Sequence, residues 1–293
     1  MKKYVISLIC VFLIISFVFF AIENKDKLLT INEQNQWTMK LNEAIDIGDV
    51  DKVKVLLKNK KMDINKSGGS LIAYILFSTE CPLRTPFETA LYSNNLEMIN
   101  LVLDYGAVPY ADDNPIGWIL CVTTDGTFQE RFQCAKKMLM LDSWEDYYDY
   151  NDGVTLTNIA GVTPVNWKGE YSHQQAEQIK ELYVLAKKKC NYEEDLDGNT
   201  VLHYATSYGR NLALIKYLVE ECGYSVSVEN KDKENPLMYM VKYYDANYDN
   251  DCNMKEIFSY YLDYGVDLNN KDKDDKTISY YLIENDIEHV IKS

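Results

Sequence analysis

The sequence predicts an all-α repeat solenoid of about seven stacked helix–turn–helix units, several of them degenerate, preceded by one N-terminal hydrophobic helix. Two observations carry that prediction. Residues 195–223 read as a turn, a short helix, a second turn and a longer helix with one apolar face, and the same order recurs at 85–106 and 235–265. A helical hairpin of this size cannot bury its apolar face alone, so units of the same kind must stack on either side of it.

In the first of these segments Asp195 and Asp197-Gly198 are turn formers, with Gly198 free to take the positive φ of a tight turn. Thr200 stands where an N-cap hydroxyl accepts orphan N–H groups. Val201, Leu202 and Ala205 fall at helical spacing, and Gly209 reads as the stop of the short helix. Leu212, Ile215, Leu218 and Val219 line one face of the second helix, which Gly223 closes. The stretch Thr200-Val201-Leu202-His203-Tyr204-Ala205 resembles the T-P-L-H-x-A signature of the ankyrin repeat, a unit of about 33 residues made of a β-turn and two antiparallel helices, with only the proline missing.

Taken in order, Lys2 and Lys3 precede an uncharged run, Tyr4–Ile22, whose length of roughly 28 Å as a helix suits a bilayer core. Residues 1–22 are therefore expected to be a signal anchor or transmembrane helix, or else a cleaved signal peptide, although Phe19 makes a poor cleavage context before Ala21. Residues 23–35 are polar without periodicity and read as a linker. The repeats should occupy 36–293, in units of about 36–66, 82–111, 112–148, 149–194, 195–228, 229–270 and 271–293. Ala44 and Gly48 keep the spacing of Ala205 and Gly209 in a degenerate first unit, with Val50, Val53, Leu56 and Leu57 in its outer helix. Thr85-Pro86-Phe87-Glu88-Thr89-Ala90 restores the signature, ending at Gly106-Ala107. Inner helices are expected at 114–119 and 153–160, with outer helices at 129–141 and 174–189. Asn235-Pro236-Leu237-Met238 opens another unit, whose outer helix runs 254–264, and 272–293 holds the terminal cap with Thr277–Leu282 as its helix. The stretches 66–84 and 161–173 are longer than one turn requires and read as insertions; a pocket there with convergent acids or a His would point to chemistry.

Charge narrows the function classes. The chain carries −15 from 30 basic and 45 acidic residues, an unfavourable balance for a phosphate backbone, so no nucleic-acid partner is expected. The sequence holds no HExxH, G-x-S-x-G, G-x-G-x-x-G or P-loop motif, and nothing groups a nucleophile with a base, so no catalytic residue is assigned. Of three histidines, His203 takes the signature position, where the resemblance implies a bond to the turn backbone of an adjacent repeat. Asp245, Asn247, Asp249 and Glu256 stand at the first, third, fifth and twelfth places of an EF-hand-like calcium loop, with a solvated acidic loop as the ordinary alternative. For an exported chain disulfides are permitted, and Cys121–Cys134 and Cys190–Cys222 are the pairs to test, against buried thiols.

The resemblance implies a non-catalytic protein–protein interaction module without a cofactor, calcium apart. Partner contacts then fall on turn tips and the exposed inner-helix face, here Tyr92, Ser93, Ser207, Tyr208, Lys242 and Tyr243, with Arg84, Leu196, Asn199, Lys231 and Lys276 at the turns. The acidic chain favours a protein partner with a basic surface. The apolar run implies a membrane-anchored, extracytoplasmic repeat domain of bacterial type, or a secreted one. The competing class is a structural or calcium-stabilised surface protein built on the acidic loop 245–256.

Overall fold

The computed structural model describes residues 25–67, 84–109, 114–122, 125–144, 148–149, 153–165, 170–244 and 253–288. The chain divides into two compact units, Met1–Val108 and Pro109–Ser293. Each is built from helical hairpins, the short inner helices stacking on one another and the outer helices covering them.

In the first unit α1 (Lys25–Asp46) pairs with α2 (Val50–Leu57), and α3 (Pro86–Tyr92) pairs with α4 (Leu96–Asp104). The inner helices α1 and α3 pack together, with Leu41, Ala44, Ile45, Phe87, Ala90 and Leu91 all buried between the layers. Sequence signals set the starts. Pro86 occupies the first turn of α3, and Thr85 forms a reciprocal capping box with Glu88, its Oγ1 accepting from the Glu88 N–H at 3.2 Å while its own N–H donates to Glu88 at 2.6 Å. Residues 25–35, expected as a linker, are instead the first turns of α1. Polarity disguised them: Gln34 exchanges two amide bonds of 2.8 Å with the backbone of Asp63, and Trp37 donates to the Leu56 carbonyl at 3.1 Å, so the stretch is fastened to its own hairpin.

The second unit runs α5 (Pro115–Gly117), a π-helical turn (Trp118–Val122), α6 (Phe128–Met140), the strands β1 (Tyr148–Asp149) and β2 (Gly153–Val154), α7 (Thr155–Ala160) and α8 (His173–Ala186). It continues through α9 (Val201–Ser207), α10 (Leu212–Lys216) with a second π-helical turn (Tyr217–Glu221), α11 (Pro236–Lys242), α12 (Met254–Asp263) and α13 (Ile278–Glu284). Helices α5, α7, α9, α11 and α13 stack in sequence as the inner layer, while α6, α8 and α10 stack behind them. Leu156, Ile179, Leu182, Leu202, Ile215, Leu237, Met238 and Ile257 are fully buried where the layers meet. The β1–β2 pair is antiparallel with Tyr148 opposite Val154, and single antiparallel bridges join Glu194 to Thr200 and Lys271 to Thr277. These mark the hairpin fingers between units. In the insertion, Val165 bridges Tyr171.

One of two turn assignments changes in kind. Gly265 closes α12 with φ +85°, as a left-handed glycine cap should. Gly209 does not act that way: the left-handed residue after α9 is Arg210, at φ 45°. Gly209 is needed because α7 passes so close that a Cβ there would lie 2.0 Å from the Ala160 carbonyl oxygen. The run Tyr4–Ile22 and most of the insertion 66–84 lie outside the described residues. Among those described, no helix is long and apolar enough to cross a membrane.

Candidate functional site

Three consecutive fingers share one construction. Asp195 Oδ1 accepts from the N–H groups of Asp197 and Asn199 at 2.9 and 2.8 Å; Asn230 Oδ1 does the same for Asp232 and Glu234, both at 2.9 Å. Asp272 Oδ1 repeats it for Asp274 and Lys276, at 2.9 and 3.0 Å. A short polar side chain thus replaces a backbone turn, as Asx residues do. The fingers are joined edge to edge, the Lys231 N–H donating to the Asp197 carbonyl and the Lys273 N–H to the Asp232 carbonyl, each at 2.9 Å.

His203 bonds α9 to the next finger, as its signature position implies. Its Nδ1 accepts from the Thr200 N–H at 3.1 Å, so the proton belongs to Nε2, which donates to the Glu234 carbonyl 2.9 Å away. Thr200 was expected to cap α9 through its hydroxyl; here the hydroxyl meets the same imidazole nitrogen at 3.0 Å, and histidine takes the place that Glu or Gln holds in a capping box. Burial holds the imidazole pKa below its ordinary value of 6.5, against the opposing bond to Glu234. A depressed histidine pKa means that the unfolded chain takes up the proton first, so stability is full above pH 6.5 and falls as the pH drops below it. Replacing His203 by Leu strands a buried N–H and a buried carbonyl, at an expected cost of about 2–4 kcal/mol in urea unfolding, and should remove that acid-side slope.

A tyrosine face lies beside the fingers. Tyr204 and Tyr208 on α9 sit with ring centroids 5.6 Å apart, Tyr208 meets Tyr239 of α11 edge-on at 6.2 Å, and Tyr239 lies 4.8 Å from Tyr243. Tyr208 and Tyr243 are each 47% exposed, while Tyr204 and Tyr239 are half-buried beneath them. Burial pushes the phenols of Tyr204 and Tyr239 well above the ordinary range, with Asp195 adding to the effect at both. Tyr239, Tyr204 and Asp195 were absent from the sequence-level surface; the signal available was the recurrence of tyrosine four residues after the helix caps Thr200 and Asn235.

The other expected contact residues divide sharply. Leu196 and Lys231 are exposed at finger tips, with the Lys231 ammonium against the Leu196 carbonyl. Tyr92 and Ser93 are half-buried in the first unit, where the Arg84 guanidinium stacks 4.4 Å from the Tyr92 ring centre. Lys276 stacks on Tyr280 at 4.5 Å. Three expectations need correction. Asn199 is buried because its amide joins Asp195 to Asn230, at 2.9 and 2.8 Å. Ser207 is buried too. Lys242 is a strut between repeats, its ammonium 2.5 Å from Glu234 Oε1 and 3.1 Å from Asp272 Oδ2, both carboxylates being fully buried. Burial opposes the Lys242 charge, but bonds to Glu234 and Asp272 outweigh it and hold the ammonium above its ordinary pKa. Burial likewise opposes the Asp272 charge, yet the Tyr281 hydroxyl, the Lys276 N–H and Lys242 hold that carboxyl down at about 2.

Cys190 and Cys222 do not form the expected disulfide, and both remain thiols; Cys222 follows the π-helical turn and sits beside the Tyr217 phenol. Cys134 is a buried thiol pushed up to about 12 by desolvation, and the side chain of its expected partner Cys121 lies outside the described residues. Asp245, Asn247 and Asp249 of the calcium reading also lie outside them, while Glu256 is exposed in the first turn of α12. Among the described residues no His, Cys, Asp and Glu group is placed to hold a metal ion.

The end of the 161–173 insertion opens on a cleft of about 640 Å³ lined in part by His173, Glu177, Lys216, Glu220 and Glu256. These acids are exposed rather than desolvated as an acid–base pair requires. Glu177 pairs with Lys180 at 2.5 Å, and Glu220 accepts from the hydroxyls of Tyr260 and Tyr264 at 3.1 and 3.2 Å. The cleft is accordingly a solvated seam of the outer layer.

Residues 170–272 match a family model described as ankyrin repeats, in three copies. The match covers the end of the insertion, α8 and both complete hairpins after it, and ends at Asp272. No curated protein matches the chain. Ankyrin repeats generally mediate protein–protein interaction and are typically non-catalytic.

Proposed function

We propose that this ankyrin repeat protein holds another protein against the tyrosine face of α9 and α11 and the finger tips beside it, with no chemical turnover. One observation carries the reading. Tyr208 and Tyr243, on consecutive inner helices, each leave nearly half their surface to water while Tyr239 joins them into one aromatic strip. Large amphipathic rings held rigidly by neighbours lose little entropy on docking, which is why tyrosine dominates many binding surfaces. The surplus of acid favours a partner with a basic surface and speeds its approach at low salt.

A photo-reactive phenylalanine placed at Tyr243 should cross-link one recurrent protein in the native envelope, and the same group at exposed Val55 of the first unit should not. Equal labelling from both positions would remove the case for this face. We further propose that the repeats stand outside the cytoplasm, on the strength of the apolar run Tyr4–Ile22 behind two lysines. Protease added to intact cells should then digest the repeats, whereas complete protection would reverse the assignment.

A further inference from the structure

We propose that Tyr204 and Tyr208, beside Asp195 and Asp197, receive the ammonium of a lysine side chain from a basic segment of a partner protein. This rests on the reading that the inner-helix face binds that partner. The argument is an internal comparison, because the chain contains the same arrangement with its cation in place.

The Asp272 finger is the filled version. The Tyr281 hydroxyl donates to Asp272 Oδ2 at 2.6 Å, and the Lys242 ammonium lies 3.1 Å from that oxygen and 5.3 Å from the Tyr281 ring centre. The Asp195 finger reproduces the frame. Its tyrosine stands at the same separation of nine residues, with the Tyr204 hydroxyl donating to Asp195 Oδ2 at 2.8 Å, and its Oδ1 closes the same turn. The cation is what differs. Among the described residues, no lysine or arginine pairs with Asp195 or Asp197 or stacks on Tyr204, Tyr208 or Tyr239. Where Asp272 Oδ2 has its ammonium, Asp195 Oδ2 takes the neutral Asn199 amide at 2.9 Å beside the Tyr204 hydroxyl, so the carboxylate is bonded but its charge is not neutralised. Lys231 of the adjoining finger is spent on the Leu196 carbonyl. At Tyr281 the charge of Lys242 eases ionisation of the phenol; at Tyr204 the neighbouring charges, Asp195 and Asp197, only oppose it.

Access differs in the matching sense. Asp272 is closed off at 3% exposure beneath its internal lysine, whereas Asp195 is half-buried, and Asp197 and Tyr208 are open to water. Lysine fits this frame better than arginine. Both oxygens of Asp195 already accept two bonds each, which leaves no paired acceptors for a guanidinium fork, while a compact ammonium is drawn as a point charge to Asp195 and the exposed Asp197 and needs only a ring face to rest on.

The test uses the full-length chain and a short fluorescein-labelled lysine–glycine–serine peptide, followed by anisotropy at low salt. Acetylating the peptide lysines should weaken binding about tenfold, and changing them to arginine should weaken it by roughly threefold or more. Asp195→Asn should also lose about tenfold. Asparagine closes the identical turn at Asn230, and because Asp195→Asn also gives up the Tyr204 and Asn199 bonds to Oδ2, the titration is run where urea unfolding shows the variant fully folded. Asp274→Asn removes the same charge from another finger tip and should stay within about twofold of the parent. Equal losses from the two variants, or indifference to acetylation, would overturn the lysine site. A partner that still cross-links at Tyr243 while the peptide fails would leave the surface reading intact and remove only this inference.

Discussion

Replacing Lys242 by Met should lower the unfolding free energy by about 3–5 kcal/mol, because it leaves two buried carboxylates facing each other without their cation. The ammonium is held by Glu234 at 2.5 Å and Asp272 at 3.1 Å, with the Lys242 side chain itself only 15% exposed. Water cannot take over the charge it neutralises. The loss is a penalty of stranding the acids rather than the worth of the bridge, so adding Glu234→Gln and Asp272→Asn to Lys242→Met should recover most of it. Urea unfolding of the single and triple variants checks this, and a single-variant loss below about 1 kcal/mol would mean that the pair behaves as a surface bridge. The pH dependence has a definite sign. Asp272 sits at about 2 in the fold against an ordinary 3.8, so the unfolded chain binds the proton first. Its contribution is full above pH 3.8 and is lost as the pH falls toward 2, whereas that of His203 begins to fall already below pH 6.5. The Met variant should lose much of that lower step, since Lys242 is one of the groups holding the Asp272 carboxyl down.

That strut shows where sequence reasoning reaches its limit. The signature around Thr200 specified the short helix, the histidine and its bond to a neighbouring turn, because each depends on residues within one motif and on the period of the repeat. Helix starts were equally legible: Thr85, Asn235 and Thr277 all accept the N–H three residues on. Lys242 was not, since its position on an inner helix reads as solvent-facing until Asp272, thirty residues later, is folded against it. Asn199 failed in a related way, its amide being tied across to Asn230 of the next finger as well as to its own Asp195. The opening turns of α1 escaped detection because their anchor is Gln34, whose partner Asp63 lies across the hairpin. The exposure of Tyr208 and Tyr243 was legible, since each directly follows the last residue of a short inner helix.

Replacing Gly209 by Ala should destabilise the second unit by about 3 kcal/mol, a far larger effect than a helix-end glycine ordinarily carries. The cause is space. A Cβ at this position would lie 2.0 Å from the Ala160 oxygen and 3.2 Å from its carbonyl carbon, and backbone cannot swing aside as a side chain can. Gly161, across the same α7–α9 contact, is the control. A Cβ there meets nothing closer than 3.4 Å, so Gly161→Ala should be near neutral, or stabilising by up to about 0.5–1 kcal/mol through the unfolded chain. Similar losses from both variants in thermal unfolding would show that conformational freedom, rather than the close approach of α7 and α9, is what the glycine supplies. The consequence reaches the binding face. Tyr208 precedes Gly209 and its carbonyl accepts from the Thr163 hydroxyl at 2.7 Å, so relieving the clash must shift the end of α9 on which the exposed ring stands. Gly209→Ala should therefore weaken lysine-peptide binding beyond what Gly161→Ala does at temperatures where both variants remain folded. A binding constant unchanged in Gly209→Ala would separate the tyrosine face from the inner-helix packing that is taken to support it.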